Sequence, residues 1–127
     1  MAEKTVSKTY DLEERTAKFG EKVIEFCLGI NINAITKPII SQLIRSATSV
    51  GANYLEANDT CSKKDVRNKI HICKKEASET KHWLRMLLKI APEKETKIKE
   101  LWSEAHQLTL IFSKALGTLK SNELKLK

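Results

Sequence analysis

Apolar side chains recur along this chain at steps of three and four residues, in four separate runs and nowhere in an alternating run. Phe19, Val23, Phe26, Cys27 and Ile30 carry the first run, and that spacing keeps them on one side of a helix predicted over 12–30. Asp11 is its candidate N-cap, and Glu13 and Glu14 suit the positive end of its dipole. Asn31 and Asn33 mark a loop. Leu43, Ala47, Val50 and Tyr54 carry a second helix over 37–57, with Thr36 as cap and Pro38 in the first turn, where a missing N–H costs nothing. Asn58, Asp59 and Thr60 end it. Val66, Ile70, Cys73, Ala77, Leu84 and Leu88 carry a third, opened by Ser62 with Asp65 three residues on, a near match to a capping box. It ends near Ala91 and Pro92. Ile98, Leu101, Ala105, Leu108, Phe112, Ala115 and Leu119 carry the fourth.

Four amphipathic helices on short loops predict an all-α, antiparallel up-down four-helix bundle. With 4 Gly and 2 Pro there are few turns to divide it further. The pattern makes one domain of 12–119, an N-terminal extension of 1–11 and a flexible tail of 120–127, expected to fray from Ser121 for want of a partner face.

The second helix breaks the usual rule for a surface helix, because Arg45 is the only charged side chain between Lys37 and Glu56. Arg45, Ser49, Ala52 and Glu56 share the face opposite its core stripe. Small side chains there let another backbone come close, which predicts a contact with a second copy of the chain. Arg45 and Glu56 are about 16 Å apart along one helix and cannot pair within it; a pair across subunits is open to them. The competing reading is a solvated face that happens to lack charge. Asn53, at the edge, fits a core hydrogen bond or a bridge between helices. On the third helix Ile72, Trp83 and Ile90 make a second apolar flank with Glu76 and Glu79 between them. Trp83 suits an interface anchor, unless both flanks face helices of the same bundle. The candidate oligomer contacts are therefore Arg45, Ser49, Ala52, Asn53, Glu56, Glu79 and Trp83.

Charge adds a second surface. Lys and Arg number 23 against 16 Asp and Glu, a net charge of +7 and a pI near 9.4, which favours polyanions as partners. Lys63, Arg67, His71, Lys74, Lys81 and Arg85, widened by Lys64, Lys75 and Lys89, fall on one face of the third helix, away from Asp65, Glu76 and Glu79. Such a stripe spans about 35 Å and matches a length of phosphodiester backbone. Few aromatics interleave with it, so base stacking is not implied, and contact through the RNA or DNA backbone would be salt-sensitive and weakly sequence-selective. A merely solvated lysine face is the plainer alternative.

Catalytic chemistry has little to stand on. Glu79 and His82 match one half of a di-iron bundle motif, which needs two such pairs and two further inward glutamates. His71 and His106 have no carboxylate or cysteine at ligand spacing, and no Gly-rich phosphate loop, serine elbow or Cys–His pattern occurs. We expect no enzyme, metal or cofactor. Cys27, Cys61 and Cys73 are odd in number without a Cys-x-x-Cys, and the first residues lack an apolar core for a signal peptide. Both point to a reducing cytoplasm, with no membrane partner.

The segment 42–57 (QLIRSATSVGANYLEA), followed by 62–65 (SKKD) and 75–84 (KEASETKHWL), resembles the bacterial four-helix-bundle proteins related to the ribosomal-RNA intervening-sequence protein, over roughly 10–116. The resemblance implies a homopentameric ring of up-down bundles without catalytic activity. It implies nucleic acid as partner and, through the distantly similar accessory protein of diversity-generating retroelements, a reverse transcriptase. It also makes Arg45, Asn53, Glu56 and Glu79 the matching polar positions, with structural roles. The chain departs at Gly51, where many members have Pro, and at Ala57-Asn58, where many have Glu-Gly. The combined expectation is a non-enzymatic, nucleic-acid-binding homopentamer; the alternative is a protein adaptor ring whose lysines only solubilise it.

Overall fold

The computed structural model describes residues 8–126, and side chains over 12–122. Four helices follow in order: α1 (Lys8–Leu28), α2 (Thr36–Asp59), α3 (Lys63–Ile90) and α4 (Glu95–Leu126), with a single 3-10 turn, Pro92–Lys94, before the last. The short connections force neighbours to lie antiparallel, and the side-chain partners confirm it. Ser46 meets Thr80, Val50 meets Cys73, and Glu56 meets Lys69, so α2 and α3 run in opposite directions. α1 packs on α2, α2 on α3 and α3 on α4 extensively, while α1 and α4 touch more sparingly. This is an all-α four-helix bundle.

The helical stripes read from the sequence form its core. Phe19, Val23, Leu43, Val50, Cys73, Leu84, Leu108 and Phe112 are all but fully buried. Tyr54 reaches across from α2 to Phe112, with ring centroids 6.1 Å apart. Burying such a set is the main stabilising term, at roughly 1.5–3 kcal/mol per large apolar side chain. The core also takes polar groups the periodicity did not single out. Thr80 and Ser46 are buried and satisfy one another, the Thr80 Oγ1 donating to Ser46 Oγ at 2.9 Å.

The helix ends differ from expectation in three places. Asp11 is not a cap, because α1 already runs from Lys8; residues 1–7 of the predicted extension lie outside the described residues. Thr36 is not the cap of α2 but its first residue. Asn33 performs the capping: its Oδ1 accepts from the amides of Ile35 and Thr36, and the Thr36 hydroxyl accepts from the Asn33 amide at 2.9 Å. That reciprocity satisfies donors a helix start leaves open. Ser62 caps α3 as read, accepting from the Asp65 amide. At the other end α4 stays helical to Leu126, past the expected end at Leu119. Leu, Lys and Glu are good helix formers, and no Pro interrupts them.

Candidate nucleic-acid interface

α3 carries its charges on separate sides. On a wheel of about 100° per residue, Asp65, Glu76 and Glu79 fall within roughly 60° of one another, on the side turned to α2. The opposite and α4-facing sides hold only cations and neutral groups. Lys63, Lys64, His71, Lys74, Lys75, Arg85 and Lys89 are exposed, and Arg67 and Lys81 are half-buried. His71, Lys74, Lys75, Ser78 and His82 border an open recess of about 520 Å³, with Glu79 at its α2 edge. The predicted basic residues thus occupy one continuous wall.

Arg45 neutralises Glu76 and Glu79 on the α2 side of that wall. Its Nη1 donates to Glu76 Oε2 at 3.0 Å, its Nη2 donates to Glu79 Oε2, and its Nε donates to Gln42 Oε1 at 2.9 Å. The Trp83 indole N–H donates to the same Glu79 oxygen at 2.9 Å. Both carboxylates are drawn toward α2 and neutralised there. Glu76 is only 8% exposed and depends on this partner.

The same contacts correct part of the oligomer expectation. Arg45 finds its acids within its own chain, and Glu56 pairs with Lys69 Nζ at 2.6 Å, so the two make no demand on each other across subunits. The reason is the antiparallel packing of α3, which brings two carboxylates spaced by three residues under Arg45 of α2. Glu79 is likewise engaged by Arg45 of α2, and Trp83 donates to it from within α3. Asn53 is not a bridge between helices: its Nδ2 donates to the Ser49 carbonyl and hydroxyl one turn earlier. Ser49 and Asn53 are half-buried, and Ala52 and Glu56 are exposed on the outer side.

Beside Ala52 lies a feature the sequence reading missed. Ala17, Gly20 and Ile24 of α1 and Gly51, Ala52 and Leu55 of α2 line a groove of about 290 Å³ on the outside of the bundle. Ile24 and Leu55 are exposed, and Leu28 continues the apolar surface at 81% exposure. Ile24 and Leu28 fall off the α1 core stripe, which was the available signal.

The remaining candidate chemistry finds no site. Glu79 is occupied by Arg45 and Trp83, and His82 stands outside, edge-on to the Trp83 ring. Among the described residues no group of three or more His, Cys, Asp or Glu is placed to hold a metal ion. Burial pushes the Cys27 thiol up to about 11 and the Cys73 thiol up to about 12, so both stay protonated and unreactive near neutrality. Cys61, between α2 and α3, is the exposed thiol. No helix among the described residues is long and apolar enough to cross a membrane.

Bundle, capped connections and charge-segregated third helix together define a class of small all-α proteins. Within that class the chain belongs to the 23S rRNA-intervening sequence protein family, whose model matches residues 8–114. The structure is similar to the crystal structure of a protein of unknown function from the S23 ribosomal protein family of Bacteroides thetaiotaomicron, with a TM-score of 0.76. The two are 23% identical, over 87% of this chain and 99% of that one, a likeness that speaks for the fold. No curated protein sequence matches the chain.

Proposed function

We propose that this protein is a non-enzymatic nucleic-acid-binding protein that holds RNA or DNA backbone on the outer wall of α3, and that copies of it assemble into a homopentameric ring. The basic wall from Lys63 to Lys89, with Glu79 only at its α2 edge, carries the reading. Its lysines and Arg85 lie along one side of α3, while helix periodicity turns Asp65, Glu76 and Glu79 toward α2, where Arg45 neutralises the last two. The family's name refers to sequences within 23S ribosomal RNA, which makes RNA the first polyanion to test. The groove of Ala17, Gly20, Ile24, Gly51, Ala52 and Leu55 supports assembly, since its small and apolar groups leave room for a second copy, and Glu13 and Glu21 beside them offer charges to a basic partner surface. A ring would repeat the basic wall and multiply its field. A reverse transcriptase enters this reading only through the resemblance to retroelement accessory proteins, and co-purification from co-expressing cells tests it.

The decisive variant replaces Lys64, Lys74, Lys75 and Arg85 by Gln, all exposed and clear of the core. Filter binding to generic RNA at low salt should weaken by at least about 100-fold, each lost phosphate contact also removing roughly 0.7–0.9 from the salt slope. Unchanged binding, or wild-type protein that binds no RNA or DNA, leaves the adaptor ring as the better account. Sedimentation showing only a 14.4 kDa species removes the assembly part.

A further inference from the structure

The aromatic residue that the basic face of α3 lacks is supplied by α4. Trp102 is 40% exposed and stands beside the basic wall rather than in the core. Its ring stacks on His106, one turn later, with centroids 5.2 Å apart and planes 16° from parallel. Lys81 of α3 reaches over both: its Nζ is 5.1 Å from the Trp102 centroid and 3.1 Å from His106 Nδ1. On the other side of Trp102, toward Ile98 one turn earlier, Arg85, Leu88, Ile98, Lys99 and Trp102 enclose a groove of about 400 Å³. Its floor is apolar, its rim holds two cations, and no carboxylate lines it. Lys99 also pairs with Glu95, at 3.2 Å on the exposed surface. Trp83, by contrast, is committed to Glu79.

We infer that the Trp102 groove between α3 and α4 receives an unpaired nucleobase, so that the protein prefers single-stranded nucleic acid to duplex. A flat π-surface held in place by His106 gives a base somewhere to stack. Leu88 and Ile98 take its apolar edge. Arg85 at the rim, with Lys81 and Lys99 beside it, meets the phosphates on either side, and an apolar peptide side chain in the groove would leave Arg85 without a counter-charge. A base inside a duplex is already stacked on its neighbours and cannot reach the ring. This rests on the backbone reading above and adds to it the form of the nucleic acid.

The test compares a labelled single-stranded RNA oligomer with a blunt duplex of the same sequence, using the full chain. Trp102→Leu keeps apolar bulk and removes the π-face. It should weaken single-strand binding about 5- to 150-fold, the range for one lost stacking contact, and leave duplex binding within about 2-fold. Trp102→Phe should recover most of the loss. The intrinsic tryptophan fluorescence of the unaltered protein should be quenched by the single strand, and in Trp102→Phe, where Trp83 alone remains, that quenching should vanish. Equal losses on both RNAs, no loss on either, or unquenched fluorescence in the bound state would overturn the stacking site while leaving the α3 backbone reading standing. Failure of the unaltered protein to bind either RNA at low salt would remove both.

Discussion

Arg45 is tied to Glu76, Glu79 and Gln42 at once, and through Glu79 to the Trp83 indole. Its head group is partly exposed, so each surface contact alone is weak. Glu76 is different, because removing its cation leaves a buried carboxylate with no compensating charge. Arg45→Ala should therefore cost about 2 kcal/mol, read as a lower urea midpoint with an unchanged slope, and Arg45→Lys should recover only part of it. A variant as stable as the original would show that Glu76 does not need this partner. The sequence exposed Arg45 as unusual, since it is isolated among small residues. It did not show its partner, because spacing along one helix says nothing of which neighbouring helix comes alongside. Glu76 and Glu79, three residues apart on the α2-facing flank, were the available clue.

The helices themselves were almost fully legible, since burial follows three- and four-residue spacing once each stripe has a facing stripe. Their ends were less so. Asn33 caps α2 from three residues before Thr36, and a loop asparagine does not announce which amides it will accept from. Interhelical distance was legible only in part, and two glycines test it. A Cβ on Gly51 would lie 3.3 Å from backbone atoms of Thr16, and α1 can yield only by moving its main chain. Gly51→Val should lose about 2 kcal/mol of stability by overpacking. Gly117 has nothing within 4 Å of its would-be Cβ, so Gly117→Ala should gain about 0.8 kcal/mol from helix propensity alone. Thermal unfolding of the two variants checks both signs; a stabilised Gly51→Val would mean that α1 and α2 are not held at this separation.

For the molecule as a whole, the +7 charge matters less than where it sits. Arg15 ties α1 to α4 through Glu104, with contacts at 2.7 and 2.8 Å, and the charge-assisted bond to Glu104 raises the already high guanidinium pKa. Arg45 removes two acids on the other flank. The outer side of α3 away from α2 carries cations from Lys63 to Lys89. Helix periodicity alone made that wall visible in the sequence, whereas the Trp102 groove needed α4 to be folded against α3. The most direct measurement is a salt series of RNA binding by the unaltered protein. The account predicts log K falling linearly with log salt concentration, at a slope of about −0.7 for each single-strand phosphate held, and so a total of several. Binding that is indifferent to salt, or absent at low salt, would contradict it.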